Sequence, residues 1–262
     1  VKSYQSLILH LMLLLLVTIP LKGITACIKP ALSSAWIQLP PFMHKDPDGS
    51  LAPAGFDVII LNHVSKQLDC PIEWRNQPWN RSIYELEHGQ LDVLAPASYN
   101  PKRAQFAWYS KPFRAERMRI VVRKETQHQW PLTSLEAMLK QNYRISFHLG
   151  TWYGLEFEKV AKNPNFQGLL FSGTNNQKRL KMLLRERVDG VLGEVVSLLQ
   201  DAEKMGISDK LAVIDYPVHD NEVHFIFSKK NIPEHFVHSF NNVLKSYKNS
   251  SDYPILNYTL HE

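Results

Sequence analysis

Hydrophobic and polar positions follow two rhythms along this chain. An almost unbroken apolar run fills residues 7–19 (LILHLMLLLLVTI). Beyond it, short apolar stretches trade places with stretches whose apolar residues fall three and four apart. Residues 32–39 read as a first strand ending at Pro40-Pro41, and Asp46-Pro47-Asp48-Gly49 reads as a turn. Residues 56–68 set Ile60, Leu61, Val64 and Leu68 at helical spacing, stopped by Cys70-Pro71. A short strand at 72–74, a helix at 80–88 and an apolar strand at 91–95 come next. After a strand at 119–123, Thr133-Ser134-Leu135-Glu136 fits a capping box opening a helix to Lys140. Strands at 143–148, 168–171, 188–192 and 211–214 then alternate with helices at 153–161, 176–187 and 194–204. A strand at 223–228 precedes a helix over 233–247 with apolar residues at 236, 237, 240, 243 and 244. Strands alternating with helices of about ten residues predict parallel α/β sheets. In such sheets ligands bind at the carboxyl ends of strands, often between domains.

Composition narrows the class. The 262 residues are 44% hydrophobic and 21% charged, which excludes collagen-like, low-complexity and fully disordered chains. The length accommodates one large domain or two lobes of about 100 residues. The apolar run at 7–19 follows Lys2 and ends near the small residue Ala26. It is too short for a membrane-spanning helix, which needs about 20 residues. Residues 1–26 therefore read as a secretory signal, with export through a bacterial inner membrane to the periplasm; an uncleaved anchor is the alternative. Loss of Lys2 and Lys22 lowers the net charge from +5 to +3. That charge, without any block of five or more Lys or Arg, calls for no nucleic acid.

The two cysteines, Cys27 and Cys70, agree with export. An even count in an oxidising compartment fits a disulfide. It would close a loop of about 44 residues, worth about 4 kcal/mol in the chain-entropy model. Ile24-Thr25-Ala26-Cys27 also resembles a lipobox, which leaves a lipid anchor at Cys27 as the alternative. Catalytic motifs are missing: there is no G-x-S-x-G, Walker-A loop, G-x-G-x-x-G or H-E-x-x-H. His235 and His238 share a helix face that reads as solvated, and two cysteines this far apart lack zinc-site spacing. No cofactor or metal is expected.

Four clusters of short motifs carry a resemblance. Pro40-Pro41-Phe42 precedes Asp48-Gly49 and Gly55-Phe56-Asp57, and Gly89-Gln90-Leu91-Asp92-Val93 follows. Asn100-Pro101-Lys102-Arg103 precedes Phe106 and Tyr109-Ser110-Lys111-Pro112-Phe113. Gly150-Thr151 precedes Val188-Asp189-Gly190-Val191 and Glu194. In this order, across roughly residues 36–228, they resemble the family 3 extracellular solute-binding proteins, polar amino-acid receptors of bacterial ABC importers. The resemblance implies a two-lobed type II periplasmic-binding-protein fold, with ligand held between lobes joined by two crossover strands. Lobe 1 would comprise 27–116 plus 221–262, and lobe 2 would comprise 117–220.

The resemblance also implies roles. Arg103 matches the family's carboxylate-binding arginine, whose planar fork donates two parallel hydrogen bonds. Thr151, at a strand-to-helix turn, would add donors for the same anion. Ser98 falls where the family often has a ligand-binding hydroxyl, and Glu194 falls near its ammonium-binding aspartate. Trp79 and Trp36 would form aromatic walls, with Tyr153 and Tyr99 as weaker candidates. Glu in place of Asp at 194, and Pro96 where the family favours small residues, point to a bulkier or less standard carboxylate ligand. The function so implied is capture of an amino acid or small carboxylate by a monomer that delivers it to an inner-membrane ABC permease. Two alternatives belong to other classes. One is a dehydratase-like enzyme with Glu194 as general acid. The other is a soluble ligand-sensing partner of a signalling receptor.

Overall fold

The computed structural model describes residues 27–254; residues 1–26, expected to be a signal, and residues 255–262 lie outside the described residues. The chain first forms β1 (Leu32–Trp36), β2 (His44–Lys45), β3 (Pro53–Ala54), α1 (Phe56–Gln67), β4 (Ile72–Asn76), α2 (Trp79–Glu87), β5 (Val93–Ser98) and β6 (Ala107–Tyr109). The long strand β7 (Arg114–Arg123) then leads into α3 (Leu135–Lys140), β8 (Ile145–His148), α4 (Gly154–Ala161), β9 (Leu170–Gly173), α5 (Asn176–Leu184), β10 (Gly190–Glu194), α6 (Val195–Lys204) and β11 (Leu211–Val213). A second long strand, β12 (His219–Ser228), returns to the first half and ends in α7 (Glu234–Lys248).

One curled sheet runs in the order β4-β1-β5-β12-β7-β10-β8-β9, with β6 on β12 and β11 on β7. Its outer parts are parallel, as the alternation of strands and helices predicts: β1 with β4 and β5, and β8 with β9 and β10. The middle departs from that expectation. β12 is antiparallel to β5 and β7, and β7 is antiparallel to β10. The reason is that β7 and β12 carry the chain between halves instead of closing a strand-helix-strand unit. The result is the two-lobed type II fold, with two crossover strands between the lobes.

Why the strands read as apolar runs is visible in the packing. Each half of the sheet is covered on both faces, which demands apolar side chains in both orientations. In the first half, Val93, Phe225 and Phe227 pack with Leu61 and Val64 of α1 and Phe240 and Leu244 of α7. Their neighbours Leu94 and Ile226 turn the other way, against Trp79 and Leu86 of α2. In the second half, Ile120, Val122 and Leu192 face one core, and Val121 and Val191 face another with Leu180, Leu183 and Leu198. A buried Leu or Phe contributes about 1.5–3 kcal/mol, so these four clusters, two in each half, hold the sheet between its helices.

Two expectations change in detail. Both crossover strands start earlier than the apolar pattern, at Arg114 and His219, because their first halves are polar and exchange ladder bonds with each other. The cap of α3 is Ser134, whose Oγ accepts from the Ala137 N–H, not Thr133; the Leu135 N–H goes to Glu156. Cys27 and Cys70 form a disulfide with their Cα atoms 5.0 Å apart. The Cys27 sulfur is therefore not free to carry a lipid thioether.

Candidate functional site

A cavity of about 60 Å³ opens where the lobes meet. The first half contributes Ile37, Leu39, Trp79, Pro96, Ser98 and Arg103; the second contributes His148, Thr151, Tyr153, Arg179 and Glu194. Glu116 and Met118 reach it from β7. Five of the six residues expected at the site are thus brought together. Pro96 and Glu194, the departures that pointed to a less standard ligand, both line it.

Arg103 is positioned by the turn before it. Asn100 Oδ1 accepts from the backbone N–H groups of Lys102 and Arg103, at 2.9 and 3.2 Å. This Asx-type turn sends the guanidinium toward the opposite lobe, where Nη2 donates to the Gly150 carbonyl at 3.0 Å. Its carbon lies 5.8 Å from the Trp79 ring centroid. The residue is only 9% exposed, yet it takes part in none of the ion pairs among the described residues. A buried cation without an anion is costly.

Carboxylates sit near it. Ser98, the last residue of β5, donates through Oγ to Glu116 at 2.6 Å. Burial pushes the Glu116 carboxyl up, against the opposing pull of Arg114 and Ser98. Glu194 ends β10 and caps α6, with Oε2 accepting from the Ser197 N–H at 2.8 Å. It therefore serves the helix and faces the cavity at once. Burial pushes its pKa up to about 7, opposed by Arg114 and the Ser197 N–H. Near neutral pH it holds a proton about half the time, so a cationic ligand group can draw it into the charged form.

Thr151 lines the cavity, but it does not stand at a helix N-terminus. α4 begins only at Gly154, and the Thr151 N–H turns back to the His148 carbonyl at 3.3 Å. Its hydroxyl lies 3.3 Å from His148 Nδ1. The turn depends on Gly150 at φ +83°, where an added Cβ would stand 3.2 Å from Asn80 Cβ and 3.5 Å from Trp79 Cδ1. This is where the second lobe presses on the start of α2. Trp79 opens α2 and is both wall and core, packing with Leu86 and Leu91. Trp36 is not a wall. It packs against the core that holds Leu32 and Val58, because successive residues at the end of β1 face opposite sides and Ile37 takes the cavity side. Tyr153 lines the cavity and its hydroxyl accepts from the His148 N–H at 2.9 Å, whereas Tyr99 is exposed.

Sequence reasoning missed Glu116 and Arg179. Arg179 lies on the buried face of α5 with Asn176, Leu180 and Leu183, and a charge on that apolar stripe was the available signal. Asp57, within the Gly-Phe-Asp motif, proves structural: Arg114 Nε and Nη2 donate to its two oxygens at 2.7 and 2.9 Å, while the guanidinium stacks 3.6 Å over Phe42. Among the described residues, no group of three or more His, Cys, Asp and Glu is arranged to hold a metal ion, and no helix is long and apolar enough to cross a membrane. Taken together, the cavity offers a fixed cation, ionisable carboxylates and an aromatic wall, a set that can replace water around a small zwitterion.

The chain is similar to known proteins in sequence and in fold. A sequence profile of the bacterial extracellular solute-binding proteins, family 3, matches residues 35–257. The chain is 25% identical over 190 residues to the "Probable amino-acid-binding protein YxeM" of Bacillus subtilis (strain 168), covering 72% of this chain and 67% of that protein. It is 23% identical over 230 residues to the arginine-binding periplasmic protein of Mannheimia haemolytica, covering 82% and 84%. A structure of an ancestral arginine-binding protein bound to arginine matches the fold with a TM-score of 0.72 at 21% identity, over 86% of this chain and 95% of that one.

Proposed function

We propose a function from the premise that the chain belongs to the bacterial extracellular solute-binding proteins, family 3: it captures an amino acid, or a related small carboxylate, between its lobes in the periplasm and hands it to an inner-membrane ABC permease. The observation that carries this reading is Arg103, buried in an inter-lobe cavity without a carboxylate partner. The ligand's α-carboxylate supplies the missing anion, with the Thr151 hydroxyl as a further donor. Its ammonium meets Glu194, assisted by Glu116, and Trp79 covers its carbon skeleton. The curated relatives named for amino acids support the ligand class.

Lobe 1 then consists of 27–116 plus 221–262, of which 255–262 lie outside the described residues, and lobe 2 of 117–220, with the hinge in the two crossover strands. Opening exchanges the Arg103–Gly150 hydrogen bond for solvent, and the permease reads the closed form. Binding is reversible and leaves the ligand unchanged, and the protein acts as a monomer.

A thermal-shift screen of the chain without residues 1–26, against amino acids and small carboxylates, tests the reading. A ligand that binds only the native state raises the melting temperature in a concentration-dependent way. The expected result is a rise that Arg103→Ala abolishes. A ligand that stabilises wild type and Arg103→Ala equally would rule out the carboxylate clamp. New products detected by mass spectrometry after incubation with a binding ligand would replace binding with catalysis.

A further inference from the structure

Arg179 is the most deeply buried charge facing the cavity, and the α-carboxylate clamp does not use it. It is 2% exposed. Nη1 donates to the Leu192 carbonyl at 2.7 Å and Nη2 to Asn176 Oδ1 at 2.5 Å, while Nε has no partner. All its partners are neutral, and no carboxylate lies within ion-pair distance among the described residues. The seat is shaped for it. A Cβ at Gly173 would stand 3.0 Å from its Cγ and Cδ, and one at Gly193 would stand 3.3 Å from Nη2. Two glycines thus leave room for the arginine on the buried face of α5.

Burying an arginine with only neutral acceptors forfeits most of the hydration of its charge, a cost that an arriving anion recovers. Arg103 enters from the first half and Arg179 from α5 in the second, and both line one compact cavity. A ligand with a single carboxylate answers one of them. A ligand with a cationic side chain answers one and repels the other.

We infer that the physiological ligand is a compact molecule with two anionic groups, of the acidic amino acid or short dicarboxylate class, the second of which is seated by Arg179. This inference rests on the carboxylate-binding reading of Arg103. The two lobes each contribute one guanidinium, so such a ligand ties them together directly. Burial raises the pKa values of Glu116 and Glu194, which lessens their repulsion of a second anion. An acidic amino acid also engages Glu194 through its ammonium, whereas a dicarboxylate without an amine leaves Glu194 protonated.

Isothermal titration of the chain lacking residues 1–26 with L-aspartate, L-glutamate, L-asparagine, L-glutamine, L-arginine and succinate decides the matter. At least one diacid binds, and the tightest diacid exceeds its amide or monoanionic counterpart by about 100-fold, the scale of a desolvated charge pair. In Arg179→Met that preference falls to within a few-fold, while the ligand-free protein is at least as stable as wild type because an uncompensated buried charge is gone. Arg179→Gln serves if the Met variant does not fold. Asparagine, glutamine or arginine binding wild type as tightly as the diacids overturns this inference and leaves the amino-acid reading standing. A diacid preference that survives both substitutions also overturns it. Failure of every compound to bind wild type contradicts the earlier reading itself.

Discussion

At the crossover, Arg114 is held by both oxygens of Asp57 and stacks on Phe42. In the cavity, Arg103 and Arg179 are as deeply buried, yet each rests on carbonyl or amide oxygens alone. The first region is complete within the chain, and the second is not. On the proposed reading, its fixed charges await an anion that arrives from outside. The same residue type therefore serves two ends, and the discriminating feature is the presence of a carboxylate partner rather than burial.

Substitutions on the two sides should separate in kind. Asp57→Ala strands Arg114 and is expected to cost about 3–5 kcal/mol of folding stability, read by urea denaturation. A loss under 1 kcal/mol would mean that the pair is dispensable. Arg103→Ala is expected to leave ligand-free stability nearly unchanged while weakening ligand binding about 100-fold, measured by titration calorimetry.

A smaller effect comes from Glu194. Its folded-state pKa of about 7 lies above the ordinary glutamate value of 4.5, so the native state holds more protons than the unfolded chain between those values. Its contribution to the stability of the ligand-free protein is fully present below pH 4.5 and is lost as pH rises through about 7. Binding of an ammonium requires the ionised form. Affinity for an amino acid is thus expected to rise by up to about tenfold per pH unit below 7 and to level off above it. Glu194→Gln should flatten that profile, and an unchanged slope in the variant would assign the proton to another group.

The smallest change expected is at Gly150. Alanine there must adopt a positive φ and press on Asn80 and Trp79, costing the closed form about 1 kcal/mol. Affinity should fall a few-fold with stability of each lobe preserved, as followed by calorimetry and by core fluorescence.

How much of this was legible in the sequence follows from the same division. The order of strands and helices showed because sheets covered on both faces require apolar runs such as Leu91–Ala95 and Val188–Leu192. The first halves of the crossover strands did not show. Arg114, Glu116, Arg117, Asp220 and Glu222 interrupt any apolar pattern there, and Asp220 pairs with Arg119, where the apolar part of the first strand begins. At the cavity, Arg103, Ser98, Thr151, Trp79 and Glu194 were picked out by motif context. Trp36 was misjudged by one position, since the side a strand residue faces flips at every step. Glu116 was hidden inside a strand whose start was not read, and Arg179 inside a helix read only for its apolar stripe. What motifs do not reveal is which charges the fold leaves without partners.

The most direct test is a crystal structure of the protein with the tightest ligand from the calorimetric panel. A carboxylate of that ligand is expected within hydrogen-bond distance of the Arg103 guanidinium, enclosed by both lobes. A ligand bound elsewhere, or one seated in the cavity with Arg103 still donating only to the Gly150 carbonyl, would contradict that expectation.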